Sequence, residues 1–104
     1  MTAKIYRQGD VLIREIASLP AQQARKKRAD GVLAYGEVTG HAHKIEDAAR
    51  AEVLEVGDGL YLRVGDAGVR IVHDEHTAIA LPAGDYEVTI QREYSPAAIR
   101  NVAD

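Results

Sequence analysis

The sequence predicts a small, single-domain, mainly β fold, a barrel or sandwich spanning residues 1–104 with a short closing helix, and three observations carry that expectation. The chain is 46% hydrophobic yet contains no Phe and no Trp, so its interior must be built from Val, Ile, Leu and Ala, and the β-branched members of that set favour strands. Its apolar residues fall in short runs, several of them alternating with polar ones, as half-buried strands require. Gly, Asp and Pro recur between the runs at turn-forming spacings. At 104 residues roughly two-thirds of the unfolded surface can be buried, enough for one modest core, with the five Tyr expected at its margins.

The elements follow in order. Lys4 to Arg7 and Asp10 to Ile16 are expected to be extended around the turn-like pair Gln8-Gly9, a hairpin that Leu19-Pro20 brings to an end. Ala21 to Asp30 carries the run Arg25-Lys26-Lys27-Arg28 with no apolar face of its own, so it is expected to be a solvated loop or helical turn, mobile and tolerant of charge removal. Seven strands are expected beyond it: Val32 to Val38, His41 to Ile45, Glu52 to Val56, Leu60 to Val64, Val69 to His73, Thr77 to Leu81 and Tyr86 to Tyr94. Gly57-Asp58-Gly59, Gly65-Asp66-Ala67-Gly68 and Pro82-Ala83-Gly84-Asp85 are expected to close hairpins between them. Ser95-Pro96 has the form of an N-cap followed by Pro at the first helical position, which predicts a helix over Ala97 to Ala103.

Composition excludes several chemistries. Without cysteine there is no disulfide, no thiolate-bound zinc and no thiol nucleophile, so any metal must be held by nitrogen and oxygen. No apolar run approaches the roughly 20 residues that span a bilayer, and Met1 to Arg14 is unlike a signal peptide, so a cytoplasmic protein with no membrane partner is expected. Net charge is −3, without the basic excess that draws a domain onto nucleic acid, which leaves Arg25, Lys26, Lys27 and Arg28 as the one candidate contact. That run lacks the interleaved aromatics of a stacking surface. Gly-rich nucleotide loops, a Ser nucleophile elbow and a His-Glu-x-x-His helix are absent from the sequence.

All four histidines fall into two pairs with ligand-compatible spacing, His41-Ala42-His43 and His73-Asp74-Glu75-His76. Residues two apart on a strand project from one face, so His41 and His43 are expected side by side, with Glu37 and Thr39 on the same face. His73 and His76 lie between two expected strands, where a tight connection turns both imidazoles toward a common point. Neutral imidazole suits Zn, Ni, Fe and Cu, Mn is a further candidate, and His-rich shells are typical of sites that keep a position open. The expected ligands are therefore His41, His43, His73 and His76, with Glu37, Glu46 and Glu75 as candidate carboxylates. Convergence without a metal would instead leave two imidazoles as acid and base on a phosphodiester, although no phosphate-cradling motif accompanies them. Against both stands a non-enzymatic accessory module whose histidines are structural and which binds a protein or nucleic acid.

The residues His41-Ala42-His43 with Glu46 and Asp47, together with Leu81-Pro82-Ala83-Gly84-Asp85-Tyr86-Glu87-Val88, resemble a minimal cupin over roughly residues 36 to 90. That resemblance implies a small barrel binding one divalent metal, in which His73 and His76 supply the histidine that does not follow the Pro-x-Gly turn. Tyr6 to Ile13, Gly36 to His43 and Arg92 to Pro96 also resemble small uncharacterised proteins of bacteria and their phages. The expectation is a divalent-metal-binding, cupin-like domain with a small-molecule ligand in an enzymatic or sensing role. Short edge strands and a small core favour a homo-oligomer.

Overall fold

The computed structural model describes residues 4–20, 25–35 and 41–90, and within them it contains ten strands and no helix. They are β1 (Ile5–Gln8), β2 (Val11–Ile16), β3 (Arg25–Lys27), β4 (Val32–Tyr35), β5 (Ala42–Ile45), β6 (Ala51–Val56), β7 (Gly59–Val64), β8 (Val69–Val72), β9 (Ile79–Leu81) and β10 (Gly84–Ile90). One sheet has six strands in the order β1-β2-β10-β7-β6-β3, the other four in the order β4-β5-β8-β9, and every pairing is antiparallel. Neither sheet closes on itself, so of the two expected architectures the open pair of sheets is realised and the barrel is not. The expected helix over Ala97 to Ala103, and the strand ends at 36–38 and 91–94, lie outside the described residues. No helix among the described residues is long and apolar enough to cross a membrane.

The core is aliphatic, as the composition requires, and both sheets feed it. Val11, Ile13, Val53, Leu62 and Val88 come from the larger sheet and Leu33, Ile45, Val69, Ile71 and Leu81 from the smaller, all buried in one cluster. The alternation is plain in β8, where Val69 and Ile71 are buried and Arg70 is exposed. Leu54 and Val56 point to the opposite face of β6, where Leu19 covers them in a second, smaller cluster.

The expected hairpin at Gln8-Gly9 joins paired strands, and of the three expected beyond the basic run one does. Gly57 (φ 60°) and Asp58 form the two-residue loop between β6 and β7, where a positive φ matches the strand twist. The segments 65–68 and 82–83 instead carry the chain from one sheet to the other, since β7 and β10 lie in the larger sheet and β8 and β9 in the smaller. Gly and Pro mark a change of direction equally well in both settings, and only the hydrogen-bonded partner distinguishes them.

Two further expectations are corrected. Tyr86 is fully buried rather than marginal. Its hydroxyl donates to the Pro82 carbonyl at 2.6 Å, its ring meets Tyr6 edge-on at 6.2 Å, and burial pushes its pKa up to about 12. The basic run is neither loop nor helical turn in the described part, because Arg25, Lys26 and Lys27 form β3 against Val56, Glu55 and Leu54. An exposed edge strand can be wholly polar, since its ladder bonds and not its side chains hold it. Arg28 then folds inward, donating to Glu55 Oε2 at 2.6 Å and to the carbonyls of Val32 and Leu33 at 2.9 and 3.3 Å.

Three substitutions check this account by urea unfolding. Tyr86→Phe removes the hydroxyl bond to the Pro82 carbonyl and is expected to cost about 1 kcal/mol with the fold retained. Arg28→Ala removes a bond to each sheet and is expected to cost about 1–2 kcal/mol, while Lys26→Gln, exposed on the edge strand, stays within about 0.5 kcal/mol.

Candidate metal centre

The site forms where the smaller sheet ends. β8 and β9 pair with Ile71 opposite Ile79, so residues 73–78 form the loop of a hairpin and carry both His73 and His76. β5 pairs with β8 through Lys44–Val72 and Ile45–Ile71, and the register carried one step further sets His43 beside His73. The His43 and His73 rings lie 4.3 Å apart, His73 and His76 4.6 Å, and His43 and His76 5.6 Å with the planes stacked. One ring nitrogen from each of these three lies within 4.8 Å of the other two, an arrangement that could hold a metal ion. Exposure rises through the triad: His43 is buried, His73 partly so, and His76 is exposed. The group therefore opens toward solvent through His76.

The deepest histidine is held by a residue from the other sheet. Gln8, at the end of β1, is 3% exposed, and its amide nitrogen donates to the carbonyls of Ile71 (2.9 Å) and Thr77 (3.0 Å). Both amide hydrogens are thereby used, so the Gln8 oxygen is the atom 2.8 Å from His43 Nδ1 and can only accept. Nδ1 must donate, which leaves Nε2 of the neutral ring as a bare lone pair. Such an outer hydrogen bond is how proteins fix the tautomer of a metal-ligating histidine. On the other edge of the ring, Asp10 Oδ1 stands 3.6 Å from Nε2.

Gly9 joins these two residues. It occupies the two-residue loop between Gln8 and Val11 with φ 59°, and a Cβ there would lie 2.8 Å from His76 Nε2 and 3.3 Å from His43 Cε1. Any larger residue would be strained and would intrude on the cluster.

His41 stands beside the triad rather than within it. Its ring meets that of His73 edge-on at 5.7 Å, while its two nitrogens lie 3.9 Å from Asp74 and Glu75. Its Nδ1 is buried without a hydrogen-bond partner. Glu75 thus approaches His41 and falls outside the group of three. Glu46, 3.3 Å from Arg70, forms an ion pair instead, and Glu37 lies outside the described residues.

Electrostatics favour the neutral ring at the centre. Burial is the main cause that lowers the His43 pKa below the ordinary imidazole value, with His73 and His76 adding to it and Asp10 opposing. His73 Nδ1 accepts from the Glu75 backbone N–H at 3.0 Å, so the hydrogen of neutral His73 sits on Nε2.

Gln8, Gly9 and Asp10 are the site residues that the sequence reading did not single out. The sequence alone did not mark them: the inversion in β1, where the apolar Ile5 is 62% exposed and the polar Gln8 is buried, shows only in the structure, and a strand tolerates it only where the polar group finds partners.

Comparison with known protein families gives a match. The model of a family described as Domain of unknown function (DUF8820) matches residues 7–91, a span that takes in Gln8, Gly9, Asp10 and all four histidines. No curated protein and no solved structure matches the chain.

The lowered pKa of His43 has a sign that can be tested without metal. Between the folded value and the unfolded value of about 6.5, the unfolded chain binds the proton and the folded chain does not. The contribution is therefore present above about pH 6.5 and is lost as pH falls through the lowered folded value. In a chelator, wild-type stability is expected to fall between pH 7.5 and 5.5, and His43→Gln, although less stable at pH 7.5, is expected to fall by less.

Proposed function

The chain belongs to the family described as Domain of unknown function (DUF8820), and we propose that it is a divalent-metal-binding domain acting on or sensing a small molecule at a centre built from His43, His73 and His76. The observation that carries this is the meeting of three imidazoles within 4.8 Å, the innermost with a bare Nε2. Three like side chains that become mutually repulsive on protonation are poorly explained by packing alone, whereas a divalent ion draws on the bare Nε2 of His43 and, once the Glu75 N–H releases His73, on the other rings as well. Nitrogen donors favour Zn, Ni or Fe over Mn, and exposure of His76 gives a small molecule a route to the ion. The donor set is cupin-like in kind, with His73 and His76 taking the place of the later cupin histidine and His41 held alongside.

Metal analysis and calorimetric titration with Zn or Ni at pH 7.5 test this. Wild type is expected to bind one ion per chain, His43→Ala and His73→Ala to lose most of the affinity, and His41→Ala to lose less. Gln8→Leu, which frees the His43 ring to change tautomer, is expected to weaken binding by about 10–100-fold. Affinity should fall from pH 7.5 to 5.5 more steeply than one titrating group allows, since each ligand must be deprotonated. Wild type that takes up no Zn, Ni, Fe, Mn or Cu at micromolar concentration would return the histidines to a structural role and favour an accessory module.

A further inference from the structure

Both ring nitrogens of His43 face the same hairpin turn, one toward Gln8 and the other toward Asp10. The Gln8 side is a hydrogen bond. The Asp10 side is not, because Gln8 holds the ring hydrogen on Nδ1 and leaves two acceptors, an imidazole lone pair and a carboxylate oxygen, facing each other at 3.6 Å. Two acceptors this close repel unless a proton, a water molecule or a metal ion lies between them, and burial disfavours the protonated ring. Ligands bound to zinc at about 2.0–2.2 Å with tetrahedral angles stand about 3.3–3.5 Å apart, close to the spacing found here.

We propose that Asp10 is the fourth ligand of the centre, completing a three-histidine, one-carboxylate shell for a divalent ion such as Zn2+ or Co2+. This rests on the metal-binding function proposed above. Asp10 approaches His43 alone and lies outside the group of three within 4.8 Å, so its short, partly exposed side chain must swing inward to share an ion with His73 and His76, and Gly9 beside it leaves empty the volume that a side chain would take from His76. The consequence is functional. Three histidines alone leave a position for water, as catalytic zinc sites do, whereas a fourth protein ligand closes the shell, and a small molecule then reaches the ion only by displacing the carboxylate.

Co2+ serves as the probe, since its visible spectrum reports the shell. Asp10→Ala and Asp10→Asn, the second keeping the shape of the turn, are compared with wild type after urea unfolding without metal shows all three folded. Both variants are expected to bind Co2+ at least about tenfold more weakly. Added azide is expected to shift the Co2+ spectrum of Asp10→Ala and leave that of wild type unchanged. Affinities within about twofold of wild type, or a wild-type spectrum that azide shifts as far as that of Asp10→Ala, would overturn the fourth ligand and leave the triad standing. Wild type that binds no Co2+ would instead remove the triad and the fourth ligand together.

Discussion

The Gln8 amide is the point on which the two sheets and the site depend together. It sits in an interior that offers almost no other polar partner, since His43 is the one other polar side chain buried among the described residues. Its three hydrogen bonds reach β8 through Ile71, the β8–β9 loop through Thr77, and β5 through His43. A buried amide group left unpaired costs about 1–3 kcal/mol, so an arrangement that breaks one of these bonds is penalised whatever happens to the aliphatic contacts. Leu, Ile and Val packing is non-directional and tolerates sliding, whereas the Gln8 bonds fix how the edge hairpin of the larger sheet meets the end of the smaller.

That fixation explains why the turn following Gln8 is so short. With Gln8 opposite Val11, two residues must reverse the chain, and Gly9 takes the positive φ the reversal needs. The same brevity brings Asp10 to the Nε2 edge of the ring whose Nδ1 edge Gln8 holds. One hairpin therefore sets the tautomer of His43 and supplies the charge opposite its free nitrogen. A longer loop could do the first without the second.

The sequence made the strands legible and the partnerships much less so. Alternation in β8 and β2, and Gly57-Asp58 between β6 and β7, are local signals, and they located those elements to within a residue or two. Sheet order is not local: nothing in Gly65 to Gly68 or Pro82-Ala83 distinguishes a hairpin from a passage between sheets. β3 escaped because an edge strand of Arg, Lys and Lys has no apolar face, and its stability comes from backbone bonds to β6. At the site, spacing marked each histidine pair as ligand-compatible, but the meeting of His43 with the 73–76 segment depends on the pairing of β5 with β8 and was an expectation only. The place of His41 was not legible either, since two residues on one strand face reach a common point only if the neighbouring strand supplies the rest of the shell there. Asp10 and Gln8 were hidden by more than 30 residues of chain between them and His43.

The hydrogen bonds of His73 add a last constraint on how an ion can enter. The Glu75 N–H holds Nδ1, and the ring hydrogen occupies Nε2, so neither nitrogen of His73 offers a free lone pair in the arrangement described. An ion bound through Nδ1 displaces the Glu75 N–H. An ion bound through Nε2 moves the ring hydrogen to Nδ1, where it opposes the same N–H. In both cases the loop of residues 73–76 must loosen its hold on the ring, and it is an exposed loop, where a backbone bond to water replaces the lost one at little cost. His43 is the opposite case, buried and already in the ligating tautomer, so binding asks nothing of the core. The arrangement divides the triad, with the hydrogen-bonded, buried ring of His43 inside and the rings of the 73–76 loop nearer the surface.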